Sequence, residues 1–449
     1  MSRPRRVDKP RAAALAVLQA VRSDDAYTNL VLPGVISTFG LDGRDAGFVT
    51  ELASGTIRRQ GTYDAVLAAC IDRPLRKVEV TVLDVLRLGA HQLLSMRVPT
   101  HAAISTSVDL ARDRKGQGAG GFVNAVLRSV AKRDLDEWLA ELAPGSSPAD
   151  LAIRHSHPTW VVEELLRAAP DADPDALLAA DNVPPRVTLV ARPGLCEPAE
   201  LPGEPTAYSP FGVVLEGGDP GAVRAVADGR AGVQDEGSQL VALVAATAPL
   251  EDSDARWLDL CAGPGGKAAL LAALAHQRGA SLTALELHDH RARLVERNLA
   301  PIAAAGGDVT VVEGDGTAAP FEAATFDRVL VDAPCSGLGA LRRRPEARWR
   351  RTPADLPVLV DLQRRLLLSA LDLVRPGGVV LYATCSPVLA ETAGVVESVL
   401  GERSDVRLDD VAPLLPHLTD GAGPLPGTAQ LWPHLHGTDA MFLALLRRS

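Results

Sequence analysis

From Val233 to the end of the chain, short β-rich runs alternate with helical stretches, and this alternation constrains the fold more than any other feature. Residues 257–260, 282–286, 309–312, 328–331, 378–382 and 441–446 read as strands. Helical patterns fit between most of them, at 268–278, 290–305 and 358–374. Two strands joined through a helix run parallel, so the expected fold is α/β: a mostly parallel, doubly wound sheet with helices on both faces. Such sheets take ligands in the crevice outside the carboxyl ends of their strands. Residues at strand ends are therefore the candidates for chemistry.

The first part of the chain has a different period. Apolar residues recur at three and four in Val82-Leu83-Val85-Leu86-Leu88, in Ala102-Ile104-Val108-Leu110 and in Phe122-Val123-Val126-Leu127-Val130. Compact all-α packing over residues 1–145 follows. Turn-formers cluster at Ala143-Pro144-Gly145-Ser146-Ser147-Pro148, which marks a linker. Residues 146–230 then read as a small α+β domain, with a helix near 160–169 and a strand-like Arg186-Val187-Thr188-Leu189-Val190. A chain of 449 residues exceeds one ordinary core, so three domains are expected, the third at 231–449.

Arg3, Arg5, Arg6, Lys9 and Arg11 precede an apolar stretch at 12–21, as in a secretion signal. That stretch is short, contains Gln19 and has no small-residue cleavage site, whereas Val17, Leu18 and Val21 fit an amphipathic helix. Five cysteines without a CxxC spacing argue against a disulfide framework or zinc ribbon and for a reducing cytoplasm. The histidine pairs His155/His157, His288/His290 and His434/His436 lack a convergent Cys or acid pattern, so no metal is expected. No segment has the length of a membrane span.

The net charge of −10 is unevenly spread. Residues 1–145 carry 20 Lys and Arg against 16 Asp and Glu, which leaves 26 against 40 in the remainder. Inside that acidic remainder, residues 341–351 hold six arginines against the single acid Glu346. Either a solvated loop or a phosphate-contacting island would look like this, and the position just after a cysteine motif favours phosphate.

The turn Asp259-Leu260-Cys261-Ala262-Gly263-Pro264-Gly265-Gly266-Lys267 follows a strand and opens a helix. Its glycines let backbone approach a ligand, and the helix start offers free N–H groups. It has neither the Walker A spacing nor G-x-G-x-x-G, which leaves a turn suited to a ligand without a pyrophosphate. Glu286 ends the next strand, where a carboxylate takes ribose hydroxyls, and Asp315 ends the third, where an adenine edge would lie. Cys335, in Asp332-Ala333-Pro334-Cys335-Ser336, and Cys385, in Ala383-Thr384-Cys385-Ser386-Pro387, lie at two further strand ends. Unpaired cysteines are usually small core residues, the reading given to Cys70, Cys196 and the Cys261 side chain. A Pro-Cys zinc deaminase site needs a second cysteine where Leu338 stands.

These three segments resemble motifs of the RNA cytosine-C5 methyltransferases of the RsmB/Sun and NOP families. Asp332 to Gly337, continuing to Arg342-Arg343-Arg344-Pro345-Glu346, resembles the RsmB/Sun branch. Gln234-Asp235-Glu236-Gly237-Ser238-Gln239 is similar to that family's entry into its catalytic domain. Arg87-Leu88-Gly89-Ala90-His91-Gln92 and Gly121-Phe122-Val123-Asn124-Ala125-Val126-Leu127-Arg128 resemble its NusB-like helical domain. Two departures stand out: Leu189-Val190-Ala191 replaces an Arg-x-Asn sequence, and Ala440 stands where Gly is common.

The resemblance implies a class I methyltransferase Rossmann-like domain behind an RNA-binding NusB-like domain and a small linker domain. It implies a monomer that transfers methyl from S-adenosylmethionine to C5 of a cytosine in 16S rRNA. Cys385 would attack C6, Asp332 would bind the base, Cys335 would serve release, and Lys267 would support Asp332 or the base. The cofactor set it implies is Cys261, Ala262, Gly263, Pro264, Gly265, Gly266, Lys267, Glu286, Arg291, Asp315 and Asp332. Arg342, Arg343 and Arg344 would contact RNA. The alternatives are the same chemistry on tRNA and a catalytically silent NusB-like RNA-binding factor.

Overall fold

The computed structural model describes residues 8–23 and 27–449, so Arg3, Arg5 and Arg6 lie outside the described residues. The chain forms two compact units, Met1–Val183 with Leu341–Arg350, and Pro184–Ala340 with Arg351–Ser449. The predicted linker stretch is shared between them: the helix Pro174–Ala180 belongs to the first unit, and the strands from Thr188 onward belong to the second.

The first unit is helical, as the three-and-four spacing predicts. Its first described helix, Lys9–Ser23, buries Ala14, Leu15, Val17, Leu18 and Val21 along one face. Leu52, Leu86, Leu88, Leu110 and Leu127 complete the same core. The Arg87 to Gln92 segment works through internal ties. Arg87 forms a two-pronged pair with Asp64, both bonds 2.7 Å, and His91 Nδ1 meets the Tyr63 hydroxyl at 2.7 Å. Gln92 Oε1 accepts from Arg11 Nε at 2.7 Å. A side chain at Gly89 would overlap Leu127, so the helices Val80–Leu94 and Gln117–Val130 depend on glycine to pack this closely.

The arginine-rich segment is built into this unit. Arg348 is fully buried, and its guanidinium donates to the Ser156 carbonyl at 2.9 Å, Asn182 Oδ1 at 3.0 Å and the Asp181 carbonyl at 3.3 Å. Glu346, also buried, accepts from the Thr28 hydroxyl at 2.8 Å, and Arg350 donates to the Val21 carbonyl at 2.7 Å.

The second unit contains the doubly wound sheet. A small antiparallel sheet comes first, from β1 (Thr188–Ala191), β2 (Glu204–Pro205), β3 (Gly212–Val214) and β4 (Ala231–Val233), in the order β2-β3-β1-β4. The large sheet contains β5 (Arg256–Asp259), β6 (Ser281–Glu286), β7 (Val309–Glu313), β8 (Phe326–Asp332) and β9 (Val374–Thr384). Beyond these lie β10 (Val406–Asp409), β11 (Ala429–Gln430) and β12 (Phe442–Arg448). The order is β10-β12-β9-β8-β5-β6-β7, parallel from β9 to β7, with β12 antiparallel to β9 and β11 beside β12. Strand order reverses between β5 and β8, which opens a crevice at their carboxyl ends.

Both faces of the sheet are covered, which explains why its strands are apolar runs rather than alternating ones. Along β9, Val379, Leu381 and Ala383 enter one core with the helices Glu236–Thr247 and Gly266–Gln277. Val380 and Tyr382 enter the other core, with Asp355–Leu373 and Ala393–Glu402. β9 starts four residues before its predicted position because Val374 pairs with Phe326 across a register shift, ahead of Pro376 and Gly377. The segment Gln234 to Gln239 joins the two sheets: Gln239 Nε2 donates to the Leu189 carbonyl at 3.3 Å, and Asp235 Oδ1 accepts from Asp439 N at 3.0 Å. Among the described residues no helix is long and apolar enough to cross a membrane.

Replacing Arg348 with Ala leaves buried carbonyls of the helical unit without donors. The expected loss is about 2–4 kcal/mol of unfolding free energy, measured by denaturant titration; a change below about 0.5 kcal/mol would remove Arg348 from this role.

Candidate active site

Five neighbouring strands of the sheet, β9, β8, β5, β6 and β7, carry the candidate residues at their carboxyl ends. β5 ends at Asp259, and the chain turns through Cys261 to Gly266 into the helix Gly266–Gln277. The neighbouring strand β6 ends at Glu286, whose side chain is buried. Glu286 Oε2 accepts from Gly263 N at 3.0 Å, Oε1 accepts from His288 N at 3.1 Å, and Arg291 stands 3.5 Å away. A side chain on Gly263 would overlap this carboxylate, which explains the glycine. Arg291 donates to the Gly263 carbonyl at 2.6 Å, and Asn298 donates to the Pro264 carbonyl at 3.0 Å. The helix Asp289–Ala304 thus holds the turn from outside, so Arg291 shapes the turn as well as neighbouring Glu286. Asp315 is exposed after β7, and Oδ1 accepts from the amide and hydroxyl of Thr317, both at 2.8 Å. Those bonds, the backbone one first, lower its pKa.

Lys267 and Asp332 meet across the reversal point, Nζ to Oδ2 at 2.9 Å. Burial opposes the ammonium, but the Asp332 charge and hydrogen bond, followed by Cys385 and Asp259, outweigh it and raise its pKa. Asp259 lies below them, 1% exposed, with Oδ1 accepting from Cys261 N at 3.3 Å and Oδ2 unpartnered. Burial, with the Asp332 charge behind it, pushes its carboxyl up to about 7. The Cys261 thiol is driven well above its ordinary value by burial and then by Asp259.

β9 ends at Thr384, and Cys385 stands next to Cys335 with their Sγ atoms 3.4 Å apart. The Cys335 thiol is held well above its ordinary value, first by its hydrogen bond with Cys385, then by burial and by the charges of Cys385 and Glu391. Gly339 closes the arrangement: its N–H donates to the Cys385 carbonyl at 2.9 Å and its carbonyl accepts from Ala440 N at 2.8 Å. A Cβ on Gly339 would overlap the Ala440 carbonyl.

Lys267, Asp332, Cys335 and Cys385 are thus brought together, and the turn, Glu286 and Asp315 line successive strand ends. The turn has the features an adenosyl cofactor needs: a glycine no side chain can replace, a buried carboxylate beside it, and the unpartnered Asp259 Oδ2. Arg342, Arg343 and Arg344 belong to the other unit; Arg342 is buried and Arg344 is exposed over the Tyr27 ring at 4.7 Å. A 730 Å³ groove in the helical unit is lined by Thr100, His101, Asp109, Arg112, Asn124 and Arg128. The sequence reading does not single out Ser336, Gln363, Ser386 or Glu391, which lie beneath the cysteines. A serine immediately after each cysteine is the one signal that pointed to them.

A model of the 16S rRNA methyltransferase RsmB/F family matches residues 245–447, and one of the NusB family matches residues 8–132. A Mycobacterium tuberculosis protein described as a methyltransferase is 50% identical over 99% of this chain and 98% of its own length. The ribosomal RNA small subunit methyltransferase B of Pseudomonas putida is 33% identical over 97% and 98%, and that of Escherichia coli is 31% identical over 88% and 90%. The crystal structure of PH0851 shares the fold over the full length of both chains, with a TM-score of 0.80 at 21% identity.

Asp259 has a pKa of about 7 in the folded chain and an ordinary one near 4 when unfolded, so the folded state binds the extra proton between these values. Stability from this group is greatest below about pH 4 and falls as pH rises to about 7. The unfolding free energy of the native chain, relative to Asp259→Asn, should drop by on the order of 2–4 kcal/mol across that window. A flat difference between pH 4 and 7 would contradict the raised value.

Proposed function

We infer that this chain, which belongs to the RsmB/F family of 16S rRNA methyltransferases, methylates C5 of a cytosine in 16S rRNA through a covalent cysteine adduct. The observation that carries the reading is the Cys335–Cys385 pair at 3.4 Å beside the Lys267–Asp332 ion pair. C5 of cytosine is a poor nucleophile, so the ring needs activation before it accepts a methyl group. S-adenosylmethionine, when bound, supplies an electrophilic methyl.

The remaining steps belong to side chains. Cys385 adds its sulfur to C6, which gives C5 enamine character. Both thiols lie at strand ends with their sulfurs 3.4 Å apart, so the assignment of attack to Cys385 and release to Cys335 rests on the family pattern. Asp332 accepts from the exocyclic amine of the base and from N3 once solvent has protonated it in the adduct, and Lys267 donates to Asp332 Oδ2 and so fixes the orientation of the carboxylate. After C5 is alkylated, solvent water takes the C5 proton, the electron pair of that C–H bond re-forms the C5–C6 double bond, and Cys385 leaves C6 as a thiolate, a departure that Cys335 assists by hydrogen-bonding to the leaving sulfur. Glu286 would hold the ribose through lone pairs left over from its backbone bonds, and the Cys261–Lys267 turn, Arg291, Asp315 and Asp332 would complete the cofactor set. A base paired in a duplex does not fit this geometry, so the target cytosine is single-stranded or flipped out.

Phosphate contacts are assigned to the helical unit, whose Arg112 and Arg128 line the groove, and to exposed Arg344. This chain is read as one monomeric enzyme, with the stretch 146–230 contacting RNA.

The two cysteines give separable outcomes. Cys385→Ala should abolish methylation and leave no protein–RNA adduct on denaturing electrophoresis. Cys335→Ala should attack and methylate but accumulate the adduct. An adduct in Cys385→Ala and none in Cys335→Ala inverts the roles, and full activity in both variants removes the covalent route. Glu286→Ala should weaken S-adenosylmethionine binding by about 1.5–3 kcal/mol in calorimetry, with the fold intact. Unchanged affinity would remove Glu286 from the cofactor set. Arg344→Ala should lower the slope of log K against log salt for RNA by about 1; an unchanged slope takes Arg344 off the RNA.

A further inference from the structure

Beneath the two cysteines lies a buried carboxylate that has no part in the steps above. Glu391 is 0% exposed and ends the short turn Leu389–Glu391, six residues after Cys385. Its Oε1 accepts from Ser336 N at 2.7 Å and from Gln363 Nε2 at 3.0 Å. Its Oε2 accepts from Ser336 Oγ at 2.5 Å and from Ser386 Oγ at 2.6 Å. The Gln363 amide also donates to the Pro334 carbonyl at 2.9 Å, and the Tyr382 hydroxyl donates to the Glu391 carbonyl at 2.7 Å.

The identity of these donors matters more than their number. Ser336 directly follows Cys335, Pro334 directly precedes it, and Ser386 directly follows Cys385. One carboxylate therefore holds both cysteine loops from below. Buried charge is costly unless it is satisfied, and here four donors to an acceptor-only group satisfy it. Hydrogen bonds to an ionised acceptor are shorter and stronger than neutral ones, so these straps are stiff. Neither a Gln nor an apolar residue at 391 offers four acceptor sites to the same donors.

We propose that Glu391 is a positioning residue for the two-cysteine chemistry: its carboxylate clasps the Cys335 loop to the Cys385 loop and sets the distance and direction of the two thiols. The proposal rests on the reading that one cysteine attacks and the other serves release. Glu391 touches no substrate and acts through Ser336, Ser386 and Gln363. A misplacement of about 1 Å at reacting atoms costs on the order of 100-fold in rate. That is the size of effect such a clasp controls.

The test uses the full chain carrying Glu391→Gln, with the double variant Ser336→Ala/Ser386→Ala beside it. Three quantities are measured: S-adenosylmethionine affinity by calorimetry, kcat and KM on a 16S rRNA transcript, and iodoacetamide alkylation rates of Cys335 and Cys385 by peptide mass spectrometry. In Glu391→Gln, cofactor affinity and KM should stay within about twofold while kcat falls about 10- to 100-fold. The ratio of the two alkylation rates should change about fivefold or more, because the thiols no longer share one frame. The serine double variant should move the same readouts in the same direction, and combining it with Glu391→Gln should cost less than the sum. An unchanged kcat and alkylation ratio in folded Glu391→Gln overturns the clasp, and so does cofactor affinity falling in step with kcat. If Glu391→Gln does not fold, the serine double variant decides by the same criteria. If the native chain methylates no cytosine, the proposed reaction fails, while the alkylation ratio still decides the clasp.

Discussion

The Lys267–Asp332 pair is the interaction on which the site depends. Lys267 leaves the turn after β5 and Asp332 ends β8, so their 2.9 Å contact bridges the point where strand order reverses. Removing either partner would strand a charge in a mostly buried place, the situation in which breaking an ion pair is most costly. Asp259 sits underneath as a second acid, and its raised pKa expresses first its burial and then the negative charge of Asp332. Lys267 balances Asp332, Asp259 and Cys385 together. One cation thus ties the glycine turn to the cysteine pair.

The scaffold makes that convergence possible by ordinary means. Alternate residues of β9 fill two separate cores, which fixes the register of the strand that presents Cys385. Gly339 lets the Cys335 loop lie against the Cys385 backbone, where any side chain would collide. Arg291 and Asn298 hold the glycine turn from the helix Asp289–Ala304 rather than from the sheet. Rigid elements supply the frame, and short loops at the strand ends carry the candidate site residues.

Much of this was legible in the sequence. Six of the eight strands of the large sheet, the glycine turn, Glu286 and both cysteines carry local signals: an apolar run, a turn-former, a reactive side chain at a strand end. Residues whose role comes from distant partners carry no such signal. Arg348 belongs to a basic run that reads as surface, yet it is fully buried because Ser156, Asp181 and Asn182 present acceptors to it. Glu391 looks like one more acid in a loop until the serines beside Cys335 and Cys385 are seen to converge on it. β10 and β11 fall in the stretch between 400 and 435, where short strands owe their existence to pairing with β12 rather than to their own pattern.

The central claim, that the crevice methylates C5 of a cytosine in 16S rRNA, is tested most directly by bisulfite sequencing of total RNA from cells with and without this gene. The account predicts that one or a few 16S rRNA cytosines, protected in the parent, become fully convertible in the deletion and are restored by the native chain but not by Cys385→Ala. No change at any 16S rRNA cytosine, or a loss confined to tRNA, would contradict it.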